Sequence, residues 1–347
     1  MSDIIVDSTD AVVIGAGAVG LFSVFACGMR KLRCHVIDTL EDIGGQLTTL
    51  YPEKPIFDIP GHPHILAADL ITKLEKQTAP FHPIFHLGQR VERLQRQTTG
   101  AFLVTTIKGT RITCRVIIIA AGVGAFHPNR PPLPGLETFE GRSVFYMVRR
   151  REDFRGRRVV IAGGGDSAVD WALSLINVAA RVTVVHRRPK FRAAPDSTIR
   201  LQQLAQAGQL DLVIPYQLHS LEGHDGWLSA VIVTSVDGHR RRLEADALLS
   251  LFGLVQELGP IASWGLSLEQ NHITINQATS MTSEQGIFAV GDIATYPGKL
   301  KLLLTGFAEA ARAAHSAYTF VYPDKALHFA HSTTTGVPEF VTHDATP

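Results

Sequence analysis

Ala11-Val12-Val13-Ile14-Gly15-Ala16-Gly17-Ala18-Val19-Gly20 and Val159-Val160-Ile161-Ala162-Gly163-Gly164-Gly165-Asp166-Ser167-Ala168 follow one plan. Each is an apolar run, then a glycine-rich turn, then a helix-forming stretch, and each leads to a second apolar strand. That order lets a backbone turn approach a pyrophosphate resting on a helix N-terminus. Ala168 in place of the third glycine still permits close helix–strand packing. The two units differ where their second strands end. Arg33 to Ile37 ends in Asp38, an acid able to accept hydrogen bonds from a free ribose diol. Arg181 to Val185 ends in His186-Arg187-Arg188, a basic cluster suited to a ribose 2′-phosphate. The chain reads as an α/β protein with two Rossmann-like dinucleotide-binding domains. A flavin or NAD-type nucleotide is expected at the first and NADP at the second.

The 347 residues suffice for two domains, each with its own core. A hydrophobic content of 45%, with 19% charged residues, is that of an ordinary globular chain. A net charge of +1 gives no general attraction to nucleic acid or to a membrane surface. No apolar run approaches the ~20 residues that span a bilayer. Met1 to Asp10 is polar and acidic, unlike a signal peptide. Cys27, Cys34 and Cys114 are scattered and odd in number, which fits reduced thiols and a cytoplasmic setting rather than a disulfide framework.

Between the glycine loops, residues 41–61 are turn-rich, and a helix is expected from about Ala67 to Gln77. Strands near Arg90–Leu94, Ala101–Ile107 and Arg111–Ala120 suggest an antiparallel insertion returning to the main sheet. The proline-rich stretch Pro128 to Pro134 reads as a crossover between domains. Strands near Ala230–Val236 and Leu243–Leu251 would complete the second domain. Gly286 to Asp292 is a further buried strand, followed by a helix from about Leu302 to Phe320 and an irregular tail. The expected division is 1–125 with 252–347 for a discontinuous first domain, and 126–251 for the second.

Gly291-Asp292 places an acid at a strand end, where it can bind a polyol. Together with Asp38 it favours FAD over NAD at the first site, because FAD has a ribityl chain to hold. The densest basic run is Arg149-Arg150-Arg151 with Arg155, Arg157 and Arg158, either a docking patch or a solvated linker face; Lys299 and Lys301 are further docking candidates. The 15 histidines do not form a metal motif. Pro83 breaks the helical spacing of His82 and His86, and His62 and His64 flank Pro63 in a turn. No metal is expected.

The layout resembles the two-dinucleotide-domain flavoproteins, of three-layer ββα type, and in particular low-molecular-weight thioredoxin reductase. The resemblance covers Ala11 to about Thr333. The segment His186-Arg187-Arg188-Pro189-Lys190-Phe191-Arg192-Ala193 is similar to that family's 2′-phosphate segment. Thioredoxin reductases carry a C-x-x-C before the second glycine loop, but the matching stretch here, Phe145 to Arg150, has no cysteine. Disulfide exchange needs an attacking thiolate and a resolving one, so that activity is excluded.

Four other segments resemble the cysteine-free branch, the thioredoxin-reductase-like ferredoxin–NADP(+) reductases. They are Gly44-Gly45-Gln46-Leu47, Tyr51-Pro52-Glu53-Lys54, the run from Gly163 to Ala172, and His331-Ser332-Thr333. The resemblance implies FAD contacts at Gly15, Gly17, Gly20, Asp38, Gln46, Tyr51, Val91, Phe126, Asp292 and Thr333, with Val91 acting through its backbone at the adenine. It implies NADP(H) contacts at Gly163, Gly165, Asp166, Ser167, His186, Arg187, Arg188 and Arg192. Tyr51 and His331 are expected to cover opposite faces of the flavin, with no acid–base dyad. The implied activity is FAD-mediated electron transfer between NADPH and ferredoxin in a homodimer, with no nucleic-acid or membrane partner. The alternatives are a flavodoxin, quinone or diffusible-acceptor reductase, and a non-catalytic flavin redox sensor.

Overall fold

The computed structural model describes residues 6–327 and 331–338, excluding the side chains of 125–127, 254–256 and 335. The chain divides into two units, Met1–Ala125 with Gln256–Pro347, and Phe126–Val255. Each repeats the same α/β layering, sheet on sheet on helix.

In the first unit a parallel sheet runs in the order Ile287–Ala289, Val116–Ile119, Ala11–Ile14, Cys34–Ile37, Ile84–His86. Its central strands are apolar on both faces because both are covered. Val13, Val36, Ile118 and Phe288 face the helices Ala18–Gly28 and Leu303–Val321. Val12, Ile14, Ile37, Ile117 and Ile119 face a second, four-stranded sheet through Val91, Phe102, Val104 and Ile112. The helix Ala67–Thr78 starts and ends close to its expected limits, burying Leu70, Ile71 and Leu74.

The second unit pairs Val144–Phe145, Ala247–Ser250, Arg158–Ala162, Arg181–Val185 and Asp211–Val213 in one parallel sheet. Val159, Ile161, Val182 and Val184 pack on the helices Asp166–Leu175 and Pro195–Gln206. Val160, Ala162 and Val185 face the antiparallel sheet Tyr216–His224, Trp227–Ser235, Arg240–Glu244.

Several elements depart from the sequence expectation. The polar start of the chain contains a strand, Val6–Ser8, paired in parallel with Arg111–Cys114. The expected strand Arg111–Ala120 is two strands, Arg111–Cys114 and Val116–Ile119, in different sheets. Leu243–Leu251 divides in the same way, at Ala245-Asp246. In both cases the chain crosses from one layer to the other, and one strand cannot serve two layers without a break. Gln46–Thr49 forms a helical turn inside the turn-rich segment, and Ser332–Thr335 forms another in the tail. Among the described residues no helix is long and apolar enough to cross a membrane.

Candidate functional site

The first glycine loop is shaped by close approach. Gly15 has φ of +110°, and a Cβ there would lie 2.3 Å from the Ala120 carbonyl oxygen; one on Gly20 would lie 1.9 Å from that of Gly15. Only glycine lets strand, turn and helix meet so tightly. The helix Ala18–Gly28 begins at Gly17 with no side-chain cap and no acid in its first turn. Its N-terminal N–H groups and positive dipole end are available to an anion. A Cβ on Gly17 would meet only one atom, at 4.0 Å, so the space above the turn is open.

Two of the predicted first-site segments, Asp38 and the Gly44-Gly45-Gln46 turn, are bonded to this cradle. Asp38 Oδ2 accepts from the Ala16 N–H at 2.6 Å, and its Oδ1 accepts from Leu40 N–H at 2.8 Å. Burial raises the Asp38 pKa, and those hydrogen bonds oppose the shift. Gly44 N–H donates to the Ala16 carbonyl at 2.9 Å, so the Gly44-Gly45-Gln46 turn is tied to the loop. Gln46 Nε2 would lie 3.5 Å from a Cβ on Gly122, which brings the turn after the strand Val116–Ile119 into the same neighbourhood. Tyr51 is half-buried, and burial, reinforced by the nearby Asp292 carboxylate, raises its phenol pKa. Val91 is buried at the start of its strand. Phe126 lies in the strand Ala125–Pro128, its side chain outside the described residues. His331 and Thr333 are exposed at the start of the Ser332–Thr335 turn.

Asp292 sits in the short 3-10 turn Gly291–Ile293, held by a buried acid that sequence reading missed. Glu309 is 0% exposed. Its Oε2 accepts from Gly291 N–H at 2.8 Å, and its Oε1 from Tyr296 O–H at 2.8 Å and from the Lys299 ammonium. Lys299 also donates to the Gly291 carbonyl at 3.0 Å. The available signal was a lone acid on the alanine-rich buried face of the helix Leu303–Val321. Lys299 is therefore no docking residue: its side chain is 5% exposed and paired. Lys301 is exposed, its Nζ 2.8 Å from His272 Nε2.

The second cradle is built alike and ends differently. The helix Asp166–Leu175 starts at Gly165 without a side-chain cap, and a Cβ on Gly165 would meet nothing within 4 Å. Asp166 and Ser167 lie at its first turn, both exposed. The basic segment folds back onto the loop: Arg192 N–H donates to the Gly164 carbonyl at 2.7 Å, and Ala194 N–H to Asp166 Oδ1 at 2.8 Å. Arg187, Arg188 and Arg192 are exposed, whereas His186 is buried with its ring stacked on Phe191. Its Nε2 lies 3.3 Å from the Lys190 carbonyl oxygen, and a Cβ on Gly164 would collide with the ring. Burial lowers the His186 pKa, and the neighbouring arginines add to this. A cavity of about 310 Å³ is lined by Arg187, Arg188, Pro215, Tyr216, Gln217 and Thr234, among others. The Arg241 guanidinium lies 5.6 Å from the centre of the Tyr216 ring.

Acidic neighbours answer at least three of the six arginines in the basic run: Arg150 pairs with Asp153, Arg155 with Glu152, and Arg158 with Asp246 and Glu244. This favours the solvated-face reading over a docking patch. The three cysteines are free and buried. Hydrogen bonding to Cys27 and burial push the Cys34 thiol up, and burial pushes Cys114 up to about 12. All three are closed off from a disulfide partner by burial.

The comparisons with known proteins agree with this construction. Residues 9–317 match the model of the pyridine nucleotide-disulphide oxidoreductase family. The chain is 62% identical over 331 residues to a ferredoxin–NADP reductase of Paramagnetospirillum magneticum, covering 95% of this chain and 98% of that protein. It is 62% identical over 333 residues to one of Rhodospirillum rubrum, covering 95% and 96%. In fold it is similar to the thioredoxin reductase of Lactococcus lactis, at a TM-score of 0.75 and 24% identity over 91% of this chain and 99% of that one. A thioredoxin reductase of T. acidophilum also superimposes with a TM-score of 0.75, at 21% identity, covering 90% and 98%. The chain thus belongs to the pyridine nucleotide-disulphide oxidoreductase family, and within it to the ferredoxin–NADP reductases.

Proposed function

We propose that this protein transfers electrons between NADP(H) and ferredoxin through a bound FAD. The observation that carries the reading is the combination of two uncapped glycine cradles with a chain whose three cysteines are all buried. Two nucleotides can be held, yet no thiol stands ready to relay electrons to a disulfide. Identity of 62% to two ferredoxin–NADP reductases supports the choice of acceptor.

FAD, when bound, supplies the exchange between two-electron hydride transfer and single-electron transfer. Everything else falls to the chain. The Gly15, Gly17 and Gly20 turn would hold the FAD pyrophosphate at the helix N-terminus, and Asp38 would accept from the ribose hydroxyls. Gln46 and Asp292 face the ribityl and ring end, Val91 offers its backbone to the adenine, and Phe126 and Thr333 complete the set. Tyr51 and His331 would cover the bound flavin and exclude water from it. For NADPH, the turn from Gly163 through Gly165, with Asp166 and Ser167, receives the pyrophosphate. Arg187, Arg188 and Arg192 bind the 2′-phosphate, and His186, packed beneath them, fixes the segment's path. The cavity beside Arg187 and Tyr216 lies in the roughly 300–1,000 Å³ range of ligand pockets and suits the adenosine end.

The test is turnover of the FAD-loaded protein with NADPH. Ferredoxin is expected to sustain steady electron flow, while thioredoxin is not reduced. Vigorous thioredoxin reduction, or a single reduction followed by a stall with every one-electron acceptor, would overturn the assignment.

A further inference from the structure

His35 interrupts a strand that is otherwise apolar. Cys34–Ile37 is buried along its whole length, and His35 is 6% exposed. By strand alternation it shares a face with Ile37, the face packed against the second sheet of the first unit. Sheet register places His86 directly beside Ile37 on the neighbouring strand, so both imidazoles emerge on one side. His35 Nδ1 and His86 Nε2 are 3.0 Å apart, with ring centres at 5.2 Å. Asp7 comes from the other layer, on the strand Val6–Ser8. One ring nitrogen from each histidine and one Asp7 carboxylate oxygen all lie within 4.8 Å of one another.

We propose that Asp7, His35 and His86 form a binding site for a divalent transition ion of the zinc class, with solvent completing the coordination. Two imidazoles and a carboxylate are the donor set that such borderline ions take. Ligand atoms ~2.0–2.1 Å from a tetrahedral ion stand about 3.3 Å apart, so the histidine nitrogens need to open by only a few tenths of an ångström. A histidine pair joined by a simple hydrogen bond needs no third group, whereas an ion uses the carboxylate. Three strands supply the three ligands, so sheet hydrogen bonding has already fixed their backbones. Asp7 is exposed and His86 half-buried, which gives the ion a path from solvent. The bound ion would clip the two sheets of the first unit together.

Calorimetric titration of metal-stripped, FAD-loaded protein with Zn²⁺ tests this, with Co²⁺ absorbance as a spectroscopic partner. The expected result is one ion per chain, a visible Co²⁺ spectrum of low-symmetry coordination, and a raised melting temperature. His86→Ala and the exposed-site variant Asp7→Asn should weaken binding by roughly 100-fold or abolish it, at least the upper end of what losing a supporting ligand contact costs. Both should retain FAD. X-ray absorption of Zn²⁺ on the unaltered protein gives an independent check, with two imidazole nitrogens and oxygen ligands expected. Absence of binding, binding unchanged in Asp7→Asn and His86→Ala, or a ligand set without two imidazoles would each overturn the site.

Discussion

Replacing Glu309 with Gln keeps the side chain's shape and removes its charge. Lys299, only 5% exposed, then holds an ammonium whose acceptors in this network, the Gly291 carbonyl and the new amide oxygen, are both uncharged. Breaking a buried pair in this way costs about 3–5 kcal/mol, because the surviving charge stays desolvated. The amide nitrogen would also replace one of the two oxygens, facing either the Gly291 N–H or the Tyr296 O–H as donor against donor, so one of those bonds is lost as well. At roughly 2–4 °C per kcal/mol for a unit of this size, the apparent Tm should fall by about 10 °C. Lys299→Met should cost a similar amount by stranding the carboxylate. Glu309→Gln combined with Lys299→Met removes both charges and should cost no more than either single change, a coupling of at least about 3 kcal/mol. Thermal unfolding of the four proteins closes the cycle, and FAD release on dilution reports whether the Gly291-Asp292 turn has loosened. Additive losses, with a coupling below ~0.5 kcal/mol, would show that the pair is not the buried unit described here.

Three other outcomes are expected. Arg187→Ala with Arg188→Ala removes two charge-assisted contacts of about 1.5 kcal/mol each at exposed positions, so KM for NADPH should rise roughly 100-fold while KM for NADH barely moves; steady-state diaphorase rates with both cofactors decide it, and equal losses refute the phosphate assignment. His331→Ala should speed formation of the flavin–nicotinamide charge-transfer band in stopped-flow reduction, and truncation before Ala330 should increase FAD loss by removing Thr333; unchanged kinetics and full retention would make the tail a passive end. The His186 pKa is lowered on folding, so between the folded value and the ordinary ~6.5 the unfolded chain binds more protons. Stability should therefore fall as pH drops through that window, and the slope should shrink in His186→Phe; melting curves across the acid range measure both.

Much of this molecule was legible from spacing. Gly15 and Gly163 could be read because a strand, a tight turn and a helix fall within a few residues, where local sterics dominate. Asp38 and Arg187 could be read because they follow their loops by one helix and one strand. The layer crossings at Arg115 and Ala245-Asp246 were not legible, since each lies inside a run that reads as one strand and only the stacking of two sheets forces the division. The strand Val6–Ser8 is short and polar, and exists because Arg111–Cys114 offers it an edge. Glu309 was passed over because its partners come from Gly291, Tyr296 and Lys299, and their convergence depends on how the last long helix docks. The His35–His86 pair is set by register between strands far apart in the chain. His186 carried the right chemistry at the right place, yet its ring turned inward to pack on Phe191, a choice that side-chain packing makes and spacing does not.

The two hydrogen bonds that fasten Arg192 to Gly164 and Ala194 to Asp166 have a consequence for altering this protein. They run from backbone N–H groups to the glycine loop and its first helical residue, so neither bond uses an arginine side chain. The frame and the charges it displays are separable. Exchanging Arg187 and Arg188 for neutral or acidic residues should therefore redirect coenzyme preference without refolding the cradle. Exchanging Asp166 should do the reverse, leaving the charges in place while loosening the frame that aims them. Preference between the two coenzymes is in this sense a removable fitting on a fixed mount.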